Sequence, residues 1–431
     1  MKVAIVGYDT EGKVSYEHFK ARNAEITICD KNTSIVVPDG VDSQLGETYL
    51  DDLDRFDVIV RTPGIYPGKI LAKNPEVADK ITSQTNIFFK HSPTKNIIGV
   101  TGTKGKGTTS SLITAMLEKS GKHVFLGGNI GVPPLTFIDE LTPDSWVILE
   151  LSSFQLIDLR YSPHIAVCLM VESEHLDWHE DMEEYIAAKQ QLFINQKSDD
   201  VAIYYAKNDD SLSIADASEA TQIPYYEIPG AIIKGDSVVM HNQEICKTSE
   251  LMLLGKHNWQ NVCAAITTVW QITQDVDSLR EVLLSFKGLE HRLEFVKEVN
   301  KVKYYDDSFG TTPATATVAI EAFSAPKILI LGGSDKGASF DELAKAVRKN
   351  NVRNVILIGE RAKHIEFALK RAGYKNYVIG GNTMQEIVNK ARELAEPNDI
   401  VLLSTACASF GLFQNYKDRG DQFKQVVQAL S

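Results

Sequence analysis

The sequence predicts an α/β protein built from parallel sheets covered on both faces and divided into more than one domain. Three observations lead there. Short apolar runs recur along the whole chain, at 3–6, 26–30, 58–61, 97–100, 146–153, 165–171, 200–206, 328–331, 355–358, 377–379 and 400–404. Between them lie stretches whose apolar residues return at helical spacing, the alternation expected of parallel sheets. One run passes through a glycine-rich turn straight into a helix, the strand–loop–helix order that a phosphate-binding loop requires. At 431 residues the chain exceeds what one core ordinarily serves, so two or three domains are expected.

Residues 1–93 read as a small Rossmann-like unit. Val3-Ala4-Ile5-Val6 is a strand, Gly7-Tyr8-Asp9-Thr10-Glu11-Gly12 a turn, and a helix follows over 13–22. Ile26-Thr27-Ile28-Cys29-Asp30 is a second strand that ends in an acid. Asp9 stands where a dinucleotide fingerprint requires its second glycine, which argues against NAD. Val58-Ile59-Val60-Arg61 and Thr62-Pro63-Gly64-Ile65 supply a further strand and a tight turn. The N-terminus reads as this first strand rather than a signal peptide, since no small-residue cleavage site follows it.

Residues 94–295 read as a nucleotide-binding domain. The apolar run Ile97-Ile98-Gly99-Val100 enters Gly102-Thr103-Lys104-Gly105-Lys106-Gly107-Thr108-Thr109, and a helix follows through Leu112-Ile113-Thr114-Ala115-Met116-Leu117. Gly102, Gly105 and Gly107 let the backbone approach a polyphosphate with several N–H groups turned inward. The positive end of the helix faces the same anion. Lys106 can reach the β- and γ-phosphates, and Thr108 or Thr109 can offer a hydroxyl to Mg²⁺. The spacing is shorter than the eight-residue Walker pattern, and a plain surface turn is the alternative. The order of Gly, Lys and Thr in this context favours nucleotide binding.

Two further strands end in groups with chemistry to offer. The run 146–153 carries Glu150, and 165–171 is followed at once by Glu172-Ser173-Glu174-His175-Leu176-Asp177-Trp178-His179. Ligands collect at the carboxyl ends of parallel strands, so the loop, Glu150 and His175 can converge. Texture changes to short strands and turns over 223–250, a small β insertion, before a helix over 257–272. Residues 296–431 return to strand–helix alternation, with helices near 341–349, 361–372 and 383–395, and read as a second Rossmann-like unit.

A net charge of −12 argues against a nucleic-acid partner, so anionic substrates must be held by local cations and helix termini. No apolar run approaches the ~20 residues that span a bilayer. Cys29, Cys168, Cys246, Cys263 and Cys407 are odd in number and contain no CxxC pair, which fits reduced thiols in a cytoplasm.

Several residue patterns have two readings each. Met182, Tyr185, Ile186, Lys189 and Phe193 share one face of a helix, which places Lys189 on the apolar stripe. Lys189 is either a snorkelling lysine whose ammonium escapes to water, or an amine committed to a buried polar site where it can be deprotonated and modified. His175, Asp177 and His179 have metal-ligand spacing, yet beside a phosphate loop Mg²⁺ is the expected ion, with only one of the two histidines near it. Asn258 and Asn261 lie on one helix face, or Asn258 is simply a cap. His291-Arg292-Leu293-Glu294 and Asp306-Asp307-Ser308 flank the second domain boundary, as a clamp for ribose and phosphate or as ordinary ion pairs. No nucleophile elbow is present, which favours positioning and charge stabilisation over covalent catalysis.

Taken together, the motifs resemble the Mur ligase family along essentially the whole chain. The carriers are Gly-Thr-Lys-Gly-Lys-Gly-Thr-Thr (102–109), Gly-Gly-Asn-Ile-Gly-Val-Pro (127–133), Glu-Leu-Ser-Ser-Phe-Gln-Leu (150–156), His-Leu-Asp-Trp-His (175–179), Gly-Lys-His-Asn-Trp-Gln-Asn (255–261) and His-Arg-Leu-Glu (291–294). The last third adds Leu-Gly-Gly-Ser-Asp-Lys-Gly (331–337), Ser-Thr-Ala-Cys-Ala-Ser-Phe (404–410) and Asp-Arg-Gly-Asp-Gln-Phe (418–423).

The resemblance implies three domains: 1–93 for a UDP-sugar, 94–295 for ATP and 296–431 for an amino acid. It also implies a cytoplasmic, monomeric ATP-dependent amide ligase of peptidoglycan synthesis. The 150–156 and 404–410 stretches point to the member that adds D-glutamate to UDP-N-acetylmuramoyl-L-alanine through an acyl phosphate. By the same resemblance, Gly102, Thr103, Lys104, Gly105, Lys106, Gly107 and Thr108, with Asn129, Asn261, Arg292 and Asp307, match nucleotide positions. Thr108, Glu150, His175 and Lys189 match ligands of two Mg²⁺ ions, Lys189 as a carbamate, and Lys106, His175 and Lys189 are the catalytic positions. Lys336, Ser409, Phe410 and Tyr416 match positions near the glutamate, while Thr10, Glu11 and Asp30 lie where the uridine pocket forms. The chain departs from the family at Asp9, Gly107, Trp178 and Phe309, the last in place of the family's usual lysine. A sibling ligase taking another amino acid or another acceptor such as a folate, and a nucleotide-dependent scaffold without turnover, are the two rivals.

Overall fold

A computed structural model describes residues 1–431 except Leu254, Lys256 and 335–337, together with the side chain of His257. The chain divides into two compact units, Met1–Glu250 with Trp259–Leu284, and Leu251–Asn258 with Ser285–Ser431.

The first unit holds two parallel sheets and a small antiparallel one. Strands β1 (Lys2–Val6), β2 (Glu25–Asp30), β3 (Asp42–Leu45), β4 (Val58–Arg61) and β5 (Ile81–Ser83) pair in the order β3-β2-β1-β4-β5. All four pairings are parallel. Helices such as Thr10–Lys20 cover this sheet, so β1 is apolar and buried from Val3 to Val6. Gly7, at φ +92°, passes so close to Thr62 that a Cβ would lie 2.1 Å from its hydroxyl oxygen, and only glycine fits.

The second sheet comprises β6 (Ile97–Thr101), β7 (Val124–Gly128), β8 (Trp146–Glu150), β9 (Ile165–Cys168), β10 (Val201–Tyr205) and β11 (Thr221–Tyr225), ordered β11-β10-β9-β6-β8-β7. The chain leaves β6 on one side toward β8 and later returns on the other as β9. The carboxyl end of β6 is therefore a topological switch point, where open α/β sheets bind ligands. One apolar core runs from Val3, Ile5 and Phe88 under the first sheet to Val147, Leu192 and Phe193 under the second. Polar links join the same two layers. Arg61, fully buried, donates from Nε to Asp158 at 2.6 Å and from Nη2 to the Phe154 carbonyl at 2.9 Å. Strands β12 (Ile232–Lys234), β13 (Ser237–Met240) and β14 (Gln243–Lys247) form an antiparallel meander, the expected β insertion.

The second unit has one sheet of β15 (Glu294–Val299), β16 (Val302–Asp306), β17 (Lys327–Gly332), β18 (Val352–Ile358), β19 (Tyr377–Ile379) and β20 (Ile400–Leu403), ordered β15-β16-β20-β17-β18-β19. Only β15 runs antiparallel to its neighbour. Helices Asp341–Lys349, Ala362–Arg371 and Met384–Leu394 fall where the apolar spacing puts them.

Element ends differ from the sequence reading for local reasons. The strand expected over 146–153 stops at Glu150, because Ser152 and Gln155 form a capping box that starts the helix Ser153–Leu156. The strand expected over 165–171 stops at Cys168, since Leu169 and Met170 turn to pair with the glycine loop. Among the described residues, no helix is long and apolar enough to cross a membrane.

Candidate functional site

The glycine loop leaves β6 and enters the helix Lys106–Lys119 at the switch point. Gly102 has φ +139°, and a Cβ there would lie 2.7 Å from Leu169 Cβ. Gly105 has φ +90°, and a Cβ would lie 2.2 Å from Asn261 Oδ1. Both positions need glycine twice over, for conformation and for space. Among the described residues, no side chain caps this helix at Gly105, and its positive end faces the loop. Thr103 ties the loop down: its N–H donates to the Met170 carbonyl at 2.8 Å, and its hydroxyl lies 2.9 Å from the Tyr185 hydroxyl. The ammonium of Lys106 donates to the carbonyls of Gly102 and Thr103, each at 2.9 Å, and Lys104 pairs with Glu172 at 2.7 Å. Gly107 and Thr108 are buried in the first helical turn. Gly105→Ala is expected to weaken nucleotide affinity at least tenfold while costing about 1–3 kcal/mol in stability. Equilibrium nucleotide binding and thermal melts check this.

Lys189 stands directly beneath the loop. It is 1% exposed, so its ammonium does not snorkel to water. Its Nζ donates to the Gly102 carbonyl at 3.1 Å and lies 4.4 Å from the centre of the Tyr185 ring. Burial, with the Lys106 charge as a second cause, lowers its pKa to about 7. The amine is therefore substantially neutral near physiological pH and able to act as a nucleophile. Tyr185 went unremarked as a site residue in the sequence; its place four residues before Lys189 on one helix face was the available signal.

Glu150 ends β8, paired with Val100 of β6, one residue before Thr101. It is 5% exposed, and Oε1 accepts from Asn129 Nδ2 at 2.7 Å while its carbonyl accepts the Asn129 N–H at 2.8 Å. Asn261 stands against the loop, with Oδ1 3.5 Å from the Thr109 hydroxyl. The Thr101 hydroxyl, buried at the end of β6, has no hydrogen-bond partner among the described residues, as befits a polar atom that a ligand or water would satisfy.

The two histidines of 175–179 separate. His175 is exposed, has a left-handed φ of 59°, and rests against the Phe154 ring at 4.8 Å. His179 is buried and held between Glu184 at 3.1 Å and Ser153 at 2.9 Å, a structural role. Trp178 packs among Phe154, His179 and Tyr66.

The three residues read as a uridine pocket lie at the carboxyl ends of β1 and β2. Asp30 accepts the N–H groups of Tyr8 and Asn32, both at 2.7 Å. Thr10 is exposed in the first turn of its helix, whose cap is Asp9, accepting the Gly12 N–H at 3.3 Å. Asp9 thus puts a carboxylate where a dinucleotide fold would seat phosphate. Glu11 accepts at 2.8 Å from Gln155, on the helix Ser153–Leu156 that follows β8, and burial raises its pKa.

In the second unit, Asp307 is buried, accepting from the Ser404 hydroxyl at 2.6 Å and the Leu293 N–H at 3.2 Å. Burial pushes its pKa up to about 7. The Arg292 guanidinium lies 3.9 Å from the centre of the Phe309 ring. Tyr416 opens the helix Tyr416–Gln428, and its ring meets Phe309 edge-on at 5.1 Å. Ser409 is buried and Phe410 exposed, on the loop after β20. That loop touches the end of β17: Ser334 N–H donates to the Ala408 carbonyl at 2.9 Å, and a Cβ on Gly333 would lie 2.1 Å from the same oxygen. The motifs at 331–334 and 404–410 are thereby adjacent. Lys336 lies outside the described residues. Arg419, a residue without an assigned role in the sequence, is fully buried and donates to Ser308 Oγ, the Ser308 carbonyl and the Cys407 carbonyl at 2.9, 2.7 and 3.2 Å. His291, Glu294 and Asp306 cluster closely, but His291 Nδ1 is bonded to Asp306 at 2.7 Å and the Lys424 ammonium lies 3.4 Å from Glu294, so both acids already have partners.

At the loop, the residues present fit a nucleotide with Mg²⁺. A carboxylate at Glu150 and hydroxyls at Thr108 and the orphaned Thr101 are the oxygen donors a hard cation takes. A helix start without a side-chain cap, with Lys106 beside it, is what the phosphates would meet.

Comparison with known proteins agrees with this layout. The model of the Mur ligase middle domain matches residues 100–269, and that of the Mur ligase glutamate ligase domain matches 291–407. A UDP-N-acetylmuramoylalanine–D-glutamate ligase of Clostridium kluyveri is 37% identical over 448 residues, covering 100% of this chain and 97% of that protein. A protein of the same name from Clostridium tetani is 37% identical over 446 residues with the same coverage. Among solved structures, a MurF ligase from Thermotoga maritima in complex with ADP has a TM-score of 0.62 at 17% identity, covering 99% of this chain and 94% of that one. The MurC ligase from Thermotoga maritima has a TM-score of 0.59 at 16% identity, covering 100% and 99%. At such identities the likeness speaks to the fold.

Proposed function

The chain belongs to the Mur ligase family, and on that premise we propose that it joins D-glutamate to UDP-N-acetylmuramoyl-L-alanine with ATP, in the cytoplasm and as a monomer. Relatives with that name cover the whole chain at 37% identity, which supports both the acceptor and the amino acid. The observation that carries the chemistry is the buried Lys189 amine, hydrogen-bonded to the glycine loop 3.1 Å away.

The reaction has two displacements. The acceptor carboxylate attacks the γ-phosphorus of ATP, forming an acyl phosphate and releasing ADP. The amine of D-glutamate then attacks the acyl carbon, and the tetrahedral adduct expels phosphate to leave the amide. The loop N–H groups and Lys106 bind the phosphates, and the Lys106 ammonium exchanges its two loop carbonyls for phosphate oxygens. Asn129, Asn261, Arg292 and Asp307 are assigned to the nucleotide. Thr10, Glu11 and Asp30 are assigned to the UDP-sugar on 1–93, and Lys336, Ser409, Phe410 and Tyr416 to D-glutamate on 296–431. Two Mg²⁺ ions, held by Thr108, Glu150, His175 and Lys189, would neutralise phosphate charge. The neutral Lys189 amine adds to carbon dioxide, forming an N–C bond and releasing a proton. The resulting carbamate is an anion with oxygen donors in place of a buried ammonium. As a step of peptidoglycan precursor synthesis, the activity serves cell shape and division.

Phosphate release, measured across a panel of amino acids with this acceptor, tests the assignment. Turnover is expected with D-glutamate and to be at least a hundredfold weaker with L-glutamate or neutral amino acids, whose missing or misplaced carboxylates leave buried polar groups unpaired. Turnover only with another amino acid, or with a folate acceptor, would reject it.

A further inference from the structure

The second unit invests heavily in the placement of Arg292. The residues on either side of it, His291 and Leu293, both sit in the left-handed region at φ 62° and 47°, a costly conformation for side chains of that size. Each is held there by a buried acid: His291 Nδ1 by Asp306 at 2.7 Å and the Leu293 N–H by Asp307 at 3.2 Å. The guanidinium carbon so delivered lies over the Phe309 ring, 3.9 Å from its centre. The negative face of the ring attracts a cation held over it, which restricts where the guanidinium can sit. Phe309 is in turn fixed from two sides. Its N–H donates to the His291 carbonyl at 3.0 Å, and its ring meets Tyr416 edge-to-face at 5.1 Å and 86°. Tyr416 then packs against His291 at 6.0 Å, which closes a circuit of four side chains.

We infer that Phe309 is a positioning residue that couples nucleotide binding at Arg292 to amino-acid binding at Tyr416. It rests on the ligand assignments made above for those two side chains. When a phosphate oxygen draws the guanidinium, Phe309 transmits the constraint to the Tyr416 ring, so ATP tightens the site for D-glutamate and D-glutamate tightens the site for ATP by the same factor. Aromatic contact rather than charge carries the link at this position.

Steady-state kinetics of full-length Phe309→Leu and Phe309→Tyr test this. In the parent, KM for D-glutamate is expected to fall severalfold between low and saturating ATP. Phe309→Leu, which keeps bulk but removes the ring face, is expected to raise KM for ATP about tenfold. It is also expected to abolish the dependence of the D-glutamate KM on ATP, with KM for the UDP-sugar unchanged. Phe309→Tyr, which retains the face, restores both. A purely structural role predicts equal changes in all three KM values or a lowered melting temperature alone. An ATP KM within twofold of the parent in Phe309→Leu, persistence of the ATP dependence in that variant, or failure of Phe309→Tyr to restore it overturns the inference. The underlying ligase assignment fails separately, if the parent itself shows no ATP-dependent turnover with D-glutamate.

Discussion

Lys189→Ala is expected to reduce turnover by three orders of magnitude or more, with far smaller changes in nucleotide affinity. It removes the amine that would become the metal-ligating carbamate, and metal ligation is charge stabilisation in the transition state rather than ground-state binding. Two measurements accompany the loss of rate. Parental activity should rise with added bicarbonate and fall in carbon-dioxide-free buffer, while the variant responds to neither. Stability should move the other way in Lys189→Met, which fills the same space without a charge. The parental amine titrates near 7 when folded and at its ordinary 10.5 when unfolded, so between those values the unfolded chain binds the extra proton. Parental stability therefore rises with pH across that window, whereas the variant lacks this slope. In carbon-dioxide-free buffer the methionine variant should be more stable than the parent by up to about 5 kcal/mol below pH 7, the gap closing toward pH 10.5. Near-parental turnover in Lys189→Ala would remove Lys189 from the chemistry.

Arg419→Met should unfold the second unit at markedly lower temperature, by about 3–5 kcal/mol of stability. The side chain is completely buried, and burial lowers its pKa to about 10, so it remains charged at neutral pH. Its three donors satisfy the Ser308 hydroxyl, the Ser308 carbonyl and the Cys407 carbonyl. Methionine takes the guanidinium donor from the buried Ser308 carbonyl and leaves the Cys407 carbonyl to the Thr405 hydroxyl at 3.2 Å, in the loops that carry Asp307 and Ser409. Calorimetry should show the loss in the transition of residues 285–431. A melting temperature within about 2 °C of the parent would show that water replaces the guanidinium.

Local chemistry was legible wherever neighbours in sequence are also neighbours in space. The glycine loop is one case: Gly102, Lys106 and Thr108 fall within seven residues, so their spacing alone marks the candidate site. The i, i+4 pair Tyr185 and Lys189 is another, since helical geometry places both on the buried stripe. Element ends were less legible. Nothing in the apolar run at 146–153 shows that Ser152 and Gln155 cap each other and end the strand at Glu150.

Contacts across long separations were invisible. Glu11 reads as a pocket residue of 1–93, and nothing near it in sequence shows that its carboxylate meets Gln155 on the helix after β8. His175 and His179 share a motif, but the backbone of 175 turns left-handed and sends one outward while the other is buried. The aromatic seat of Arg292 on Phe309 had no signal at all, because the motif marks the residues without showing what they touch.

What the sequence determined by itself was the α/β alternation, the glycine loop between a strand and a helix, and the family, since each rests on short-range periodicity, backbone freedom at glycine, or residues matched in order. Only the tertiary structure decided which charges are buried. Desolvation turns Lys189 into a near-neutral amine and holds Asp307 near neutrality, and it depends on chain segments packed around each group from far along the sequence.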